Sequence, residues 1–379
     1  MKSISLLLLA ASCTRALPTP EKSNGALYFL DSDPNGASVI SLSIGSNGML
    51  GEPVKTCTNG NGMIGMNVNG SVTADPLFSQ GSIIVDGNLL FTVNAGSNTL
   101  AAFNIPENDP VHPVLIGEPV DTAGTAPNTV AYSSKNKIAC VANTGSKPGV
   151  QCFSVSCTDG MMPMGGLRPL PVMNQTSPVM GPANTVSNIV FNPSETALFV
   201  VVKGDGMHDG YIYAYKVEDG VVSMEPIKSR PMNLPIPFTM SFSDDSSALV
   251  ATPAYGAAFV SISEDFMVTT DKMVNVTGQM ATCWSARSAE TDSFYLLDAG
   301  VANITTVNNE TETISRTIPG YQQGMGNFDG MVSGSKLYVL QAAPAIAVFD
   351  LADPSCGPQV ADLSGLGNRA SWIGMAVYA

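Results

Sequence analysis

Residues 90–105, LFTVNAGSNTLAAFNI, decide the fold. Two apolar runs meet at a polar, Gly-containing turn, the pattern of an antiparallel hairpin with one face toward a core. The pattern returns at residues 26–44, 137–155, 197–217, 248–263, 293–307 and 336–351, so the chain holds seven such units. Ahead of the hinge stands a further strand with a tight turn, as in SIIVDGNLL (82–90) and NIVFNPSETAL (188–198). After it comes a polar edge strand, GEPV at 51–54 and again at 117–120. Four strands repeated at roughly 45–58 residues are what a β-propeller blade requires. The first unit lacks an innermost strand before Ala26, while the chain ends in an unpaired apolar run, SWIGMAVYA (371–379). If that run completes the first blade, the ring has no open edge. The expected fold is therefore all-β, a seven-bladed β-propeller closed by its C-terminal strand. A two-layer sandwich is the alternative, and it gives no reason for seven evenly spaced hairpins.

The N-terminus reads as a secretory signal. Met1 and Lys2 make a short positive start, residues 4–11 are almost unbroken apolar sequence, and Thr14-Arg15-Ala16 ends in small residues. Residues 1–16 are expected to be cleaved, leaving 17–379 as one propeller domain, secreted and either extracellular or associated with the cell wall. No later stretch reaches the roughly 18 apolar residues of a membrane helix. Lys and Arg total 17 against 31 Asp and Glu. That acidic balance, with no basic cluster, argues against nucleic acid and anionic membrane as partners.

Beyond Cys13, six cysteines remain. Cys140 and Cys152 flank the turn NTGSKPG at equal distance, which sets them opposite each other on a hairpin and predicts a disulfide. The pairing of Cys57, Cys157, Cys283 and Cys356 stays open. Sequons at Asn69, Asn174, Asn275, Asn303 and Asn309 are potential glycan sites in an exported protein. No C-x-x-C pair, His cluster, P-loop or G-x-S-x-G elbow is present, and GDGMHDG (204–210) departs from calcium-loop spacing, so neither cofactor nor metal is expected. The abundant methionines, MMPM (161–164) among them, read as flexible filling or surface.

A propeller gathers the starts of its innermost strands and the hinge loops around one mouth of its central channel, where ligands bind. The residues expected at that mouth are Gln80, Asn128, Ser187, Asn188, Lys203, Asp205, His208, Thr239, Trp284 and Asp329. Lys203, Asp205 and His208 share the long fourth-blade hinge and combine cation, acid and base. His112, in DPVHPV, reads as a surface residue of a linker between blades. Arg287, in CWSAR, falls too far along its strand to be set at the mouth.

LFSQGSIIVDGNLLFTVNAGSNTLAAFNI (77–105), PNTVAYSSKNKIACVANTG (127–145) and ATCWSA (281–286) resemble the secreted fungal proteins labelled 3-carboxymuconate cyclase-like, within the lactonase group of seven-bladed propellers that includes 6-phosphogluconolactonase. The resemblance implies the same propeller and a catalytic set of a His, two Arg and a Glu, in which guanidinium forks hold substrate carboxylates while the His or Glu moves a proton. Those positions fall on or beside Asn128, Ser187, Lys203 and Cys283, and none matches. Two functions stay open. One is a catalytically silent extracellular or cell-surface glycoprotein, a monomer, that binds a small polar molecule or glycan at the mouth. The other is an active, cofactor-independent lactonase or muconate cycloisomerase.

Overall fold

Alternating apolar residues give the chain its strands, and small or polar turns separate them. The computed structural model describes residues 25–156, 158–170, 175–322 and 325–379. The signal reading at 1–16, Cys157 and the Asn174 sequon lie outside the described residues. Among the described residues the strands form seven antiparallel sheets arranged as the blades of a propeller, and one short parallel pair, Met66–Asn67 with Met180–Gly181, outside them. In the second blade the order runs outward from Ile83–Asp86 through Leu89–Asn94 and Thr99–Asn104. Packing between neighbouring blades forms the core, for example Val200 and Tyr213 of the fourth blade with Ile138 and Val150 of the third.

The first blade is completed from the far end of the chain. Trp372–Tyr378 pairs antiparallel with Gly25–Asp31, setting Asp31 opposite Trp372 and Ala26 opposite Tyr378. The seam is locked at one end, where Ser371 donates its hydroxyl to Asp31 Oδ1 (2.5 Å) and Lys55 holds Oδ2 (2.9 Å). Trp372, Ile373 and Met375 are buried by this docking. At about 2 kcal/mol for each large apolar side chain removed from water, the strand carries a large part of a domain's net stability.

The outer edge departs from the sequence reading in one respect. In the second blade it is split into Val114–Leu115 and Val120–Asp121, with the GEPV motif at the break. Gly117 adopts a φ of +66° and Pro119 has no N–H to donate, so a continuous ladder is not available there. His112 belongs to the turn inside this blade, bonded to Asp109 (2.8 Å), and not to a linker between blades. Cys140 and Cys152 face each other in register with Cα atoms 4.1 Å apart and are disulfide-bonded. Cys57 and Cys356 are exposed free thiols and Cys283 is a buried one. Asn69 and Asn275 are exposed. Asn303 and Asn309 are half-buried, and the Asn309 amide is engaged by Ser243 and Asp292.

Candidate functional site

Both the hinges within blades and the connections between blades fall at one end of the ring, here called the hinge end. There the innermost strands of five blades bulge at corresponding places, the closing strand among them at Gly374-Met375. Register shifts leave Asn128, Ser187, Cys283 and the Phe328-Asp329 pair without direct partners on the second strand. A bulge re-aims a side chain out of the pleat, and here the bulged residues gather around residues 75–80. Three of them, Asn128, Ser187 and Cys283, are positions the family resemblance singled out.

Residues 74–80, ADPLFSQ, connect the first blade to the second and cross the channel. Asp75 shapes the segment by accepting from the Phe78 N–H (2.8 Å), which tightens the turn after Pro76. Phe78 sits at a φ of +56°, a conformation that costs a non-glycine residue about 1 kcal/mol. Surrounding contacts hold it there. Gly65 and Gly181 flank the Phe78 ring, and a Cβ on either would run into it.

Hydrogen bonds from successive blades fix the segment. Asn128 donates to the Leu77 carbonyl (3.2 Å) and the Ser79 hydroxyl to the Asn128 carbonyl (2.6 Å). The Gln80 N–H donates to the Ser187 carbonyl (2.8 Å) and Lys203 Nζ to the Phe78 carbonyl. Thr239 donates to Gln80 Oε1 (2.6 Å), Trp284 Nε1 to the Ser79 carbonyl (3.2 Å) and Arg369 to the Ala74 carbonyl (3.3 Å). Thr129 and Asn188 both donate to the Gln80 carbonyl. Asp75, Leu77, Phe78 and Ser79 are all buried, so the chain closes its own channel at this end.

Charged groups are buried around this closure. Burial drives Asp75 above the usual carboxylate range and Lys203 below the usual amine range, and each partly offsets the shift of the other. Lys203 also lies 4.3 Å from the centroid of the Phe238 ring. Burial pushes Asp329 up to about 8, Arg369 down to about 10, and the Cys283 thiol well above its ordinary value. Asp329 Oδ1 accepts from the Gly330 N–H (2.8 Å). Asp329 Oδ2, Arg369 Nη2 and Asn128 Oδ1 are buried without a hydrogen-bond partner.

Eight of the ten residues expected at the mouth therefore converge on residues 77–80 or the charged groups around them: Gln80, Asn128, Ser187, Asn188, Lys203, Thr239, Trp284 and Asp329. The other two diverge. Asp205 and His208 occupy the outer tip of the fourth-blade hinge, bonded to each other (3.1 Å), while Lys203 at the base of that hinge turns inward. Backbone N–H donation from His208 is the main cause that holds Asp205 down to about 2. Sequence reasoning missed Asp75 and Arg369. The Asp-Pro turn at 75–76 marked a bend but gave no sign that the bend lies across the axis. Among the described residues no cluster of three or more His, Cys, Asp or Glu suits a metal ion.

No family model matches the chain, and no curated protein matches it in sequence. Solved structures do match in shape. The periplasmic gluconolactonase of Pseudomonas aeruginosa superposes with a TM-score of 0.63 at 14% identity, over 94% of this chain and 99% of that one. A Bacteroides fragilis protein with the provisional description 6-phosphogluconolactonase gives 0.62 at 13% identity, over 96% and 100%. The dihydro-heme d1 dehydrogenase NirN gives 0.51 at 12% identity, over 95% and 77%. At such identities the shared property is the propeller fold, which serves different chemistries in these proteins.

Proposed function

We propose that this chain is an exported, catalytically silent propeller of the lactonase-like type, which binds a small polar or carbohydrate ligand on the hinge-end face. The observation that carries this reading is the occupied mouth. Asn128, Lys203, Thr239 and Trp284 already donate to residues 77–80, and the positions of the His, Arg and Glu set hold Asn128, Ser187, Lys203 and Cys283. Around that closure the exposed surface is rich in neutral donors and acceptors, such as Asn61 with Ser97 and Ser146 with Ser177. Hydroxyls and amides suit neutral polar ligands, sugars among them, better than they suit a tricarboxylate.

The purified protein should turn over neither 3-carboxymuconate nor simple lactones above the buffer rate, and should bind on a glycan array. A blank array from correctly folded protein would overturn the binding reading.

One observation favours the alternative, an active lactonase or cycloisomerase. Lys203 and Asp75 are both shifted toward neutrality, as acid–base pairs often are. Turnover abolished by Lys203→Met in a protein that remains folded would establish that reading.

A further inference from the structure

The axis has a second end, and it is open. Beyond the crossing segment, the innermost strands set half-buried apolar residues around the channel: Ile84 and Val85 from the second blade, Tyr132 from the third, Val190 from the fourth, Val332 from the seventh and Val377 from the first. Two cavities of about 280 and 350 Å³ open at this end and share Ile84 in their walls. Toward the hinge end, the chain leading into the second blade's innermost strand is fixed by neighbouring blades. The Gln80 carbonyl is held by Thr129 (2.6 Å) and Asn188 (3.3 Å), and the Gly81 carbonyl by the Val130 N–H (2.8 Å). Closure at the hinge end thus turns the channel into a blind pit with apolar walls.

The rim of the pit carries negative charge. Glu195 lines one of the cavities, and Asp86 ends the innermost strand of the second blade. Burial first, and the neighbouring Glu195 charge second, raise Asp86 above its usual range. Two cations at this end are engaged with other partners: Lys135 donates to the Ser194 carbonyl (3.1 Å) and Arg287 pairs with Asp292 (3.2 Å).

We propose that this pit binds a small amphiphile, with an apolar ring or short chain seated between the innermost strands and a neutral or cationic head at the carboxylate rim. The occupant is a small molecule because the lining is concave, two hollows of three blades each that share Ile84, a shape a flat protein surface does not fill. A body of roughly 10–20 heavy atoms matches the space. The site is separate from the hinge-end face, so it stands or falls independently of the ligand proposed there.

Three probes with one apolar body and different heads test it: 1-naphthalenemethanol, 1-naphthylmethylamine and 1-naphthoic acid, titrated calorimetrically into the full chain. The alcohol and the ammonium should bind saturably, and the carboxylate about tenfold more weakly. Val190→Trp and, separately, Val332→Trp should remove binding of all three while near-UV dichroism stays native. Glu195→Gln should bring the ammonium and carboxylate affinities together. A readout on the unmutated protein guards against variants that do not fold: the methyl resonances of Ile84 and Val190 should shift on titration with the alcohol. Absence of saturable binding by the alcohol, methyl shifts confined to the hinge end, or binding kept by both folded tryptophan variants would overturn the site. Equal affinity for ammonium and carboxylate would overturn the role given to the rim.

Discussion

The two ends of the channel come from the same seven innermost strands and have opposite character. At the hinge end, bulges turn Asn128, Ser187, Cys283 and Asp329 toward the axis, and residues 74–80 fill the space they enclose. At the far end the strands stay regular around Ile84, Tyr132 and Val190, no crossing segment is found among the described residues, and the apolar side chains remain half-buried. What differs is whether a connection long enough to cross is available. The first-to-second-blade connection, residues 58–82, supplies one at the hinge end, whereas the turns between described strands at the far end run from two to nine residues.

Removing the ring closure should erase the contrast altogether. Deletion of residues 371–379 exposes the partner face of Gly25–Asp31 and discards the burial of Trp372, Ile373 and Met375. The expected outcome is no cooperative thermal transition and no secreted, soluble product. Substitutions confined to the closed end should act next most strongly. Phe78→Ala should cost about 3–5 kcal/mol in urea unfolding, because the slot between Gly65 and Gly181 cannot collapse on backbone alone. Lys203→Ala should cost a similar 3–5 kcal/mol, since it leaves Asp75 buried beside an unbonded Phe78 carbonyl. Pairing Lys203→Met with Asp75→Asn should recover much of that loss.

The acidity of the closed end predicts a pH profile. Burial raises Asp329 from its ordinary value of about 3.8 to about 8 in the folded chain. Between those values the folded chain holds a proton that the unfolded chain has released. The stability it contributes is therefore complete below about pH 4 and is lost as pH rises through 8. Melting temperatures measured across this window should fall less steeply for Asp329→Asn than for the native chain. The smallest effect belongs to the hinge tip. His208→Ala should change stability by less than about 0.5 kcal/mol, because His208 is exposed and its main partner, Asp205, stays supplied by backbone donors.

The ring was legible in the chain because every blade repeats its hairpin, and the unpaired apolar run at 371–379 matches the missing strand at the other end. The Cys140–Cys152 bridge was legible for the same local reason, equal spacing about one turn. Closure of the mouth was not. Its determinants are Gly65, Gly181 and Arg369, far apart in sequence and ordinary in their own surroundings, and they converge only after the ring forms. The fourth-blade hinge shows the converse. GDGMHDG concentrates charge in one short stretch, yet its acid and base point outward and only Lys203, beside them in sequence, reaches the axis.

Hydrogen exchange across residues 74–81 tests the closed axis most directly. The account predicts that this peptide, though it has no regular secondary structure, is protected as strongly as the blade strand Ala197–Val202, while residues 205–209 exchange at once. Exchange of 74–81 on the time scale of the hinge tip would contradict it and would show a mouth that opens to solvent.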